Sequence, residues 1–374
     1  MNSDHNDSYD ITENPLSYDT FTASVQRSKE LEEDIVNNPD KHTVLTGDRP
    51  TGDLHIGHYF GSLQNRVKLA ELGVKTFIVI ADYQVLTDRE VFDKIEDCTL
   101  NLAIDYIASG LDPEAGNVFI FPHSCVPELN QLVLPFLNLV SIPELERNPT
   151  VKDEIQASSM AKMNAGMFTY PIHQAADILF CKATAIPVGK DQLPHIELTR
   201  TIARRFNAKY KLKDSEDSIF PTPQGLLSHT PAILGLDGSA KMSKSRNNTI
   251  PLKATEDETA KIIKAAVTDS ERLITYEPER RPAVANLLDI ASLASGETPE
   301  AIAKQIGEGG AGMLKAYLTE HINAYFRPLR TTRAELVNNM DYVKKSLDDG
   351  IEQAREIADE TLTEVRSAMR MYVS

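Results

Sequence analysis

Residues 46–65 read TGDRPTGDLHIGHYFGSLQN, and this stretch decides the fold. It sets four glycines, a proline and two histidines at the front of a segment that then takes up the apolar periodicity of a helix. A β-branched strand, HTVLTG at 42–47, runs directly into it. Strand, glycine turn and helix start together make an anion site, because free N–H groups and the positive end of the helix dipole meet there. Gly47 and Gly52 allow the turn, and Gly57 and Gly61 are expected to let a ligand and a neighbouring strand approach the helix backbone. His55 and His58 stand three apart, so both rings can face one bound group. A solvated turn with exposed histidines accounts for the same letters, so the stretch needs company.

The flanking pattern supplies it. KTFIVIADY (75–83) is a continuous apolar run suited to a strand buried on both faces. REVFDKIEDCTLNLAIDYIASG (89–110) puts Val91, Ile95, Cys98 and Leu102 on one helical face and ends in glycine. GNVFIFPHS (116–124) is the next strand, and PELNQLVLPFLNLV (127–140) the next helix. This alternation predicts an α/β fold, a Rossmann-like parallel sheet with helices on both faces and ligands at the carboxyl ends of its strands. After residue 250 only helical patterns follow, which predicts a C-terminal all-α domain. The division is then a polar extension at 1–41, part disordered and part helical, an α/β domain at 42–250 and a helical domain at 251–374.

Composition bounds the function. Of 374 residues 41% are hydrophobic and 25% charged, an ordinary globular balance, and the formal charge of −16 argues against a surface that coats DNA. Cys98, Cys125 and Cys181 lie far apart in apolar stretches, which suggests neither disulfides nor a zinc site. The first twenty residues are acidic and polar, unlike a targeting segment, and no run approaches the ~18 apolar residues of a membrane span, so a cytoplasmic protein is expected.

Two further constellations carry chemistry. GLDGSAKMSKSRNNTI (235–250) is a glycine-punctuated loop in which Lys241 and Lys244 are point charges able to swing onto a polyphosphate. In TYPIHQAADILFCKATAIPVGKDQLPHIELTRTIARRFN (169–207), Pro171 suits the first turn of a helix, and Tyr170, Gln174 and Asp177 then share one face. Such polar groups are costly to bury unless partnered, and either a ligand or a helix-tying network can partner them. IPVGKDQ is again strand, glycine turn and helix start, where Gly189 and Asp191 can meet adenosine and Gln192 an amino acid. Arg200, Arg204, Arg205, Lys209, Lys211 and Lys213 form one basic run, and Arg327, Arg330 and Arg333 another, each a candidate contact for a phosphate backbone or simply a solvated face.

H-I-G-H after the first strand, paired with K-M-S-K-S near the end of the α/β region, resembles the class I aminoacyl-tRNA synthetases. From about residue 43 to EVRSAM near the C-terminus, the chain is most similar to the bacterial tryptophanyl family, through Tyr170 to Asn207, GLDGSAKMSKS and AAVTDSE. The resemblance implies activation of L-tryptophan by ATP with Mg2+ carried by the nucleotide, transfer to tRNA(Trp), and a homodimer whose helical domain reads the anticodon. It implies ATP contacts from Arg49, Pro50, Thr51, Gly57, His58, Gly189, Lys190, Asp191, Lys241, Met242, Ser243, Lys244 and Ser245. His55, His58, Lys241 and Lys244 would act on the phosphates, with no protein metal site. Asp177 would accept the indole N–H, with Tyr170, Gln174, Gln192 and Leu45 around the amino acid. Phosphoryl transfer needs positioning and charge neutralisation, and neither signature offers a Ser-His or Cys-His pair. Gln174 and Asp177 also suit a tyrosine–tRNA ligase, against which Leu45 argues as an apolar residue suited to indole. Arg49 stands where many bacterial tryptophanyl enzymes have glutamine. A non-catalytic RNA-binding paralogue would have lost the histidines or lysines, and the dinucleotide-forming adenylyltransferases, with a similar H-x-G-H turn, would leave the helical domain unused.

Overall fold

The computed structural model describes residues 18–88, 94–148, 164–189, 192–210, 218–227, 233–238, 242, 243, 246 and 248–373. Five parallel strands form one sheet: β1 (Thr43–Asp48), β2 (Lys75–Ile80), β3 (Val118–Pro122), β4 (Ala185–Val188) and β5 (Gln224–Leu227), in the order β3-β2-β1-β4-β5. β1 pairs in register with β2 from Thr43 against Lys75 to Asp48 against Ile80, and with β4 on its other side. The strand order turns between β1 and β4, and ligands of such sheets lie at that switch point. Gly47 is required there, since a Cβ on it would stand 2.0 Å from the Val79 carbonyl oxygen.

The expected helices cover the faces. α1 (Tyr18–Asn37) buries Leu31 and Ile35 against Val44, Leu69, Val74, Ala185 and Leu226. Its Ser28 hydroxyl accepts from the Leu227 N–H at 2.9 Å, at the far end of β5, so the helix is packed along the sheet from the carboxyl end of β5 to the amino end of β1. α2 (Gln64–Glu71) and α3 (Ile95–Ala108) follow β1 and β2. α4 (Ala165–Leu179) and α5 (Leu193–Lys209) flank β4. PELNQLVLPFLNLV makes two short helices, Pro127–Asn130 and Val133–Leu137, where one was expected.

Beyond residue 250 come α6 (Glu256–Ala265), α7 (Pro282–Ser295), α8 (Pro299–Ile306), α9 (Gly310–Val337) and α10 (Met340–Ala368). Their packing does not follow a division at residue 250. The apolar side of α10 turns back to the sheet, where Ala354, Ala358, Leu362 and Val365 share a core with Phe121, Val126 and Phe180. Contact is close enough that a Cβ on Gly350 would lie 2.2 Å from the Ile120 carbonyl oxygen. The Thr361 hydroxyl also donates to the Phe180 carbonyl at 2.7 Å.

Candidate active site

The two histidines shape the turn they occupy. The one-turn helix Ile56–His58 is capped reciprocally by them: His55 accepts from the His58 backbone, and the His55 N–H donates to His58 Nδ1 at 3.2 Å. The rings lie 3.6 Å apart centroid to centroid. A π-helical segment, Tyr59–Leu63, separates this turn from α2, a distortion that recurs at functional sites. Gly52 takes the left-handed φ of 113° that the turn requires. Among the described residues no strand packs against Gly61, since a Cβ there would meet nothing within 4 Å.

The second signature joins the first. The Ile56 N–H donates to the Ile250 carbonyl at 3.0 Å and the Leu252 N–H to the Leu54 carbonyl at 2.9 Å, so the end of the K-M-S-K-S segment is zipped to the histidine turn. A Cβ on Gly57 would sit 3.0 Å from the His55 ring and 3.3 Å from the sulfur of Met242, which is 4% exposed. The Asn248 side chain accepts from the Ser243 N–H and donates to Asp237, pinning the loop from behind. Lys190, Asp191, Lys241, Lys244 and Ser245 lie outside the described residues. Arg49 is exposed and Pro50 buried beside it, with the Thr51 N–H bonded to the Arg49 carbonyl at 2.7 Å. Gly189 and Gln192 meet in a turn after β4, the Gln192 N–H donating to the Gly189 carbonyl at 3.1 Å.

A polar pocket lies at the carboxyl ends of β2 and β3. Asp177, 4% exposed on α4, takes the Gln84 amide on Oδ2 at 3.0 Å, and Oδ1 has no hydrogen-bond partner. Burial pushes this carboxyl well above its usual range and the Asp82 charge adds to that, against the opposing Gln84 bond. His123 Nε2 comes within 3.3 Å of Oδ1, but the Asn130 amide oxygen, 3.1 Å from the same nitrogen, is the better-placed acceptor. The His173 ring also reaches Asn130, at 2.7 Å. Burial, then the neighbouring His173, lowers His123 to about 3, and burial lowers His173 to about 4, so both rings are neutral at physiological pH. The contact of His123 with Asp177 is therefore no ion pair. His123, His173 and Asp177 bring ligand atoms within 4.8 Å of one another, a spacing that a cation could bridge, though Asn130 already engages both imidazoles.

Asp177 is thus a buried carboxyl with polar neighbours on α4 and after β2 and β3. Tyr170 bonds through its hydroxyl to the fully buried His195 at 2.9 Å, and Gln174 is half-buried on the same helix. Pro171 corrects the reading: it stands inside α4, which starts six residues earlier at Ala165 behind an Asn164 cap. Leu45, 4% exposed, packs in the core with Phe77, Val79 and Ala176. Gln84, His123, Asn130 and His173 went unread, although ADYQ and FPHS each put polar residues right after an apolar strand, where the sheet rule expects function. Of the basic runs, Lys211 and Lys213 lie outside the described residues, while Arg205 pairs with Glu144 at 2.6 Å, Arg327 with Glu256 at 3.0 Å and Arg333 with Asp105 at 2.8 Å.

A parallel sheet with a histidine turn after its first strand, locked to a methionine loop from its far end, defines a nucleotide-activating enzyme of class I synthetase type. The chain belongs to the class I tRNA synthetases for tryptophan and tyrosine, whose family model matches residues 37–327. Relatives at 40% identity and above include tryptophan--tRNA ligases. It is 42% identical over 340 residues to the tryptophan--tRNA ligase of Lactococcus lactis, covering 88% of this chain and 98% of that one. It is 41% identical to the tryptophan--tRNA ligase of Clostridium longisporum over 336 residues, 88% and 97% of the two chains. Among solved structures, the tryptophanyl-tRNA synthetase of Campylobacter jejuni complexed with ADP and tryptophan matches with a TM-score of 0.75 at 33% identity, over 88% of this chain and all of that one.

Proposed function

We propose that this chain is a tryptophan–tRNA ligase, activating L-tryptophan with ATP to the adenylate and transferring it to tRNA(Trp). One observation carries the choice of amino acid: a buried carboxylate oxygen, Asp177 Oδ1, without a hydrogen-bond partner in a pocket whose neighbours are bonded to each other. An indole N–H satisfies that oxygen, and a side chain lacking a donor leaves it orphaned, a discrimination far larger than a missing methylene gives. The relatives at 40% identity and above support the same choice.

The tryptophan carboxylate attacks the α-phosphate and pyrophosphate leaves with Mg2+. His55 and His58 face the reacting phosphate, and Gly57, where a Cβ would fill the space beside His55, keeps the cradle open for the nucleotide. Arg49, Pro50 and Thr51 border the ATP side, and Met242 and Ser243 carry Lys241 and Lys244 to the pyrophosphate. Gly189, with Lys190 and Asp191, faces adenosine. Tyr170, Gln174, Gln192 and Leu45 surround the amino acid. The enzyme works as a cytoplasmic homodimer. None of the described helices is long and apolar enough to cross a membrane.

Amino-acid-dependent ATP–pyrophosphate exchange across the twenty amino acids tests this. Exchange with tryptophan alone is expected, exchange with tyrosine instead would overturn the assignment, and none would remove the catalytic reading. Asp177→Ala is expected to abolish tryptophan-dependent exchange while leaving the unfolding transition in place. The chain contains no tryptophan, so the ligand's own indole emission reports binding without background.

A further inference from the structure

The residue just before the ATP turn is an aspartate built into a network that the proposed chemistry does not use. Asp48 closes β1, and its carboxylate takes both guanidinium nitrogens of Arg66, at 2.6 and 3.3 Å, and the Tyr106 hydroxyl at 2.7 Å. Arg66 is 4% exposed and Tyr106 fully buried. The second Arg66 nitrogen also donates to the Ser62 hydroxyl at 3.3 Å, and Ser62 donates to the His58 carbonyl at 3.2 Å. The backbone joins in, the Asp48 carbonyl accepting from the Ala81 N–H at 3.0 Å. One continuous chain of bonds therefore runs from the start of Arg49–Thr51, through α2 and the π-helical segment, to the histidine turn. Desolvation pushes the Asp48 carboxyl up, but Arg66, then the His58 imidazole and Tyr106, hold it well below the usual carboxylate range, so the network is charged at any working pH.

We propose that Asp48, Arg66 and Tyr106 are positioning residues that hold the ATP turn at 49–51 in register with the histidine turn. The inference rests on the synthetase reading of the site. A bidentate Arg–carboxylate pair fixes direction as well as distance, which a flexible lysine cannot reproduce. Both turns are assigned to ATP under that reading, so misalignment between them falls on nucleotide engagement. The side chains around Asp177 come from α4 and from the segments after β2 and β3, so tryptophan binding is expected to change less than ATP engagement.

Exchange kinetics with Arg66→Lys, Arg66→Met and Tyr106→Phe, beside tryptophan binding followed by indole emission, test the proposal. Loss of a charged, buried hydrogen bond predicts a KM for ATP raised about tenfold in Arg66→Lys and more in Arg66→Met, and by severalfold in Tyr106→Phe, with the dissociation constant for tryptophan within about twofold of the parent. Parallel changes for ATP and tryptophan would reduce the network to a general structural role and overturn the proposal. An unchanged KM for ATP in Tyr106→Phe and Arg66→Lys would overturn it too. Tyr106→Phe removes a single hydroxyl and keeps the ring in the core, so it decides the matter if Arg66→Met fails to fold. Failure of the synthetase reading is separate, since the parent protein would then show no tryptophan-dependent exchange.

Discussion

Asp177 and its neighbouring imidazoles pull the pH dependence of stability in opposite directions. His123 is lowered to about 3 from 6.5, so between those values the unfolded chain binds more protons than the folded one, and stability falls as pH is lowered through that window. Asp177 is raised above 3.8, so above that value the folded chain holds more protons, and its contribution falls as pH rises. Denaturant midpoints measured from neutral pH downward should therefore drop less steeply in His123→Gln and more steeply in Asp177→Asn than in the parent. An unchanged slope in His123→Gln would show that His123 is protonated in the fold over that window. Asp177→Asn keeps an acceptor oxygen for the indole but loses the charge, so tryptophan binding should weaken by about 10- to 100-fold and not vanish, a result that titration of indole emission reads directly.

Among the elements, the strands were the more legible. β1 is legible as a β-branched run feeding a glycine turn, β2 as a continuous apolar run buried on both faces, and β3 and β4 as short apolar runs. β5, QGLL, is four residues long, too short to carry a period. Helix ends depended on single residues: Asn164 caps α4 with its side chain on the Met167 N–H at 2.7 Å, and Pro171 drew the expected start six residues too late. The pocket was half legible. Asp177 stands out as a carboxylate in an apolar helix, whereas His123 and Asn130 reach it from β3 and the short helix after it, and sequence spacing carries no sign of that convergence. The α10–β3 contact was invisible for the same reason. Gly350 looks like a helix weakness, where alanine should gain about 0.5–1 kcal/mol. Here a methyl group would meet the Ile120 carbonyl at 2.2 Å, so Gly350→Ala should destabilise by about 1–3 kcal/mol, seen as a lower thermal midpoint. A raised midpoint would mean that α10 rides farther from the sheet.

Across the whole molecule the helical part and the sheet part are tied by a buried ion pair. Arg333 on α9 donates to Asp105 on α3 at 2.8 Å, with side-chain exposures of 13% and 3%, and also reaches Asn101. Asp105 lies 3.5 Å from the Leu54 N–H, one residue before the histidine turn. Removing one partner leaves a buried charge alone, so Arg333→Met should cost about 3–5 kcal/mol in chemical denaturation, and Arg333→Met with Asp105→Asn markedly less than the single change. A double variant as weak as the single one would place the cost in packing. The return of α10 to β3 also has a consequence for biosynthesis. A ribosome must have made α10, residues Met340–Ala368, before the apolar surface of Phe121, Val126 and Phe180 is fully covered. Until then a nascent chain leaves that part of its core open, and a message broken ahead of residue 340 would yield a sticky fragment for chaperones and proteases rather than a smaller enzyme.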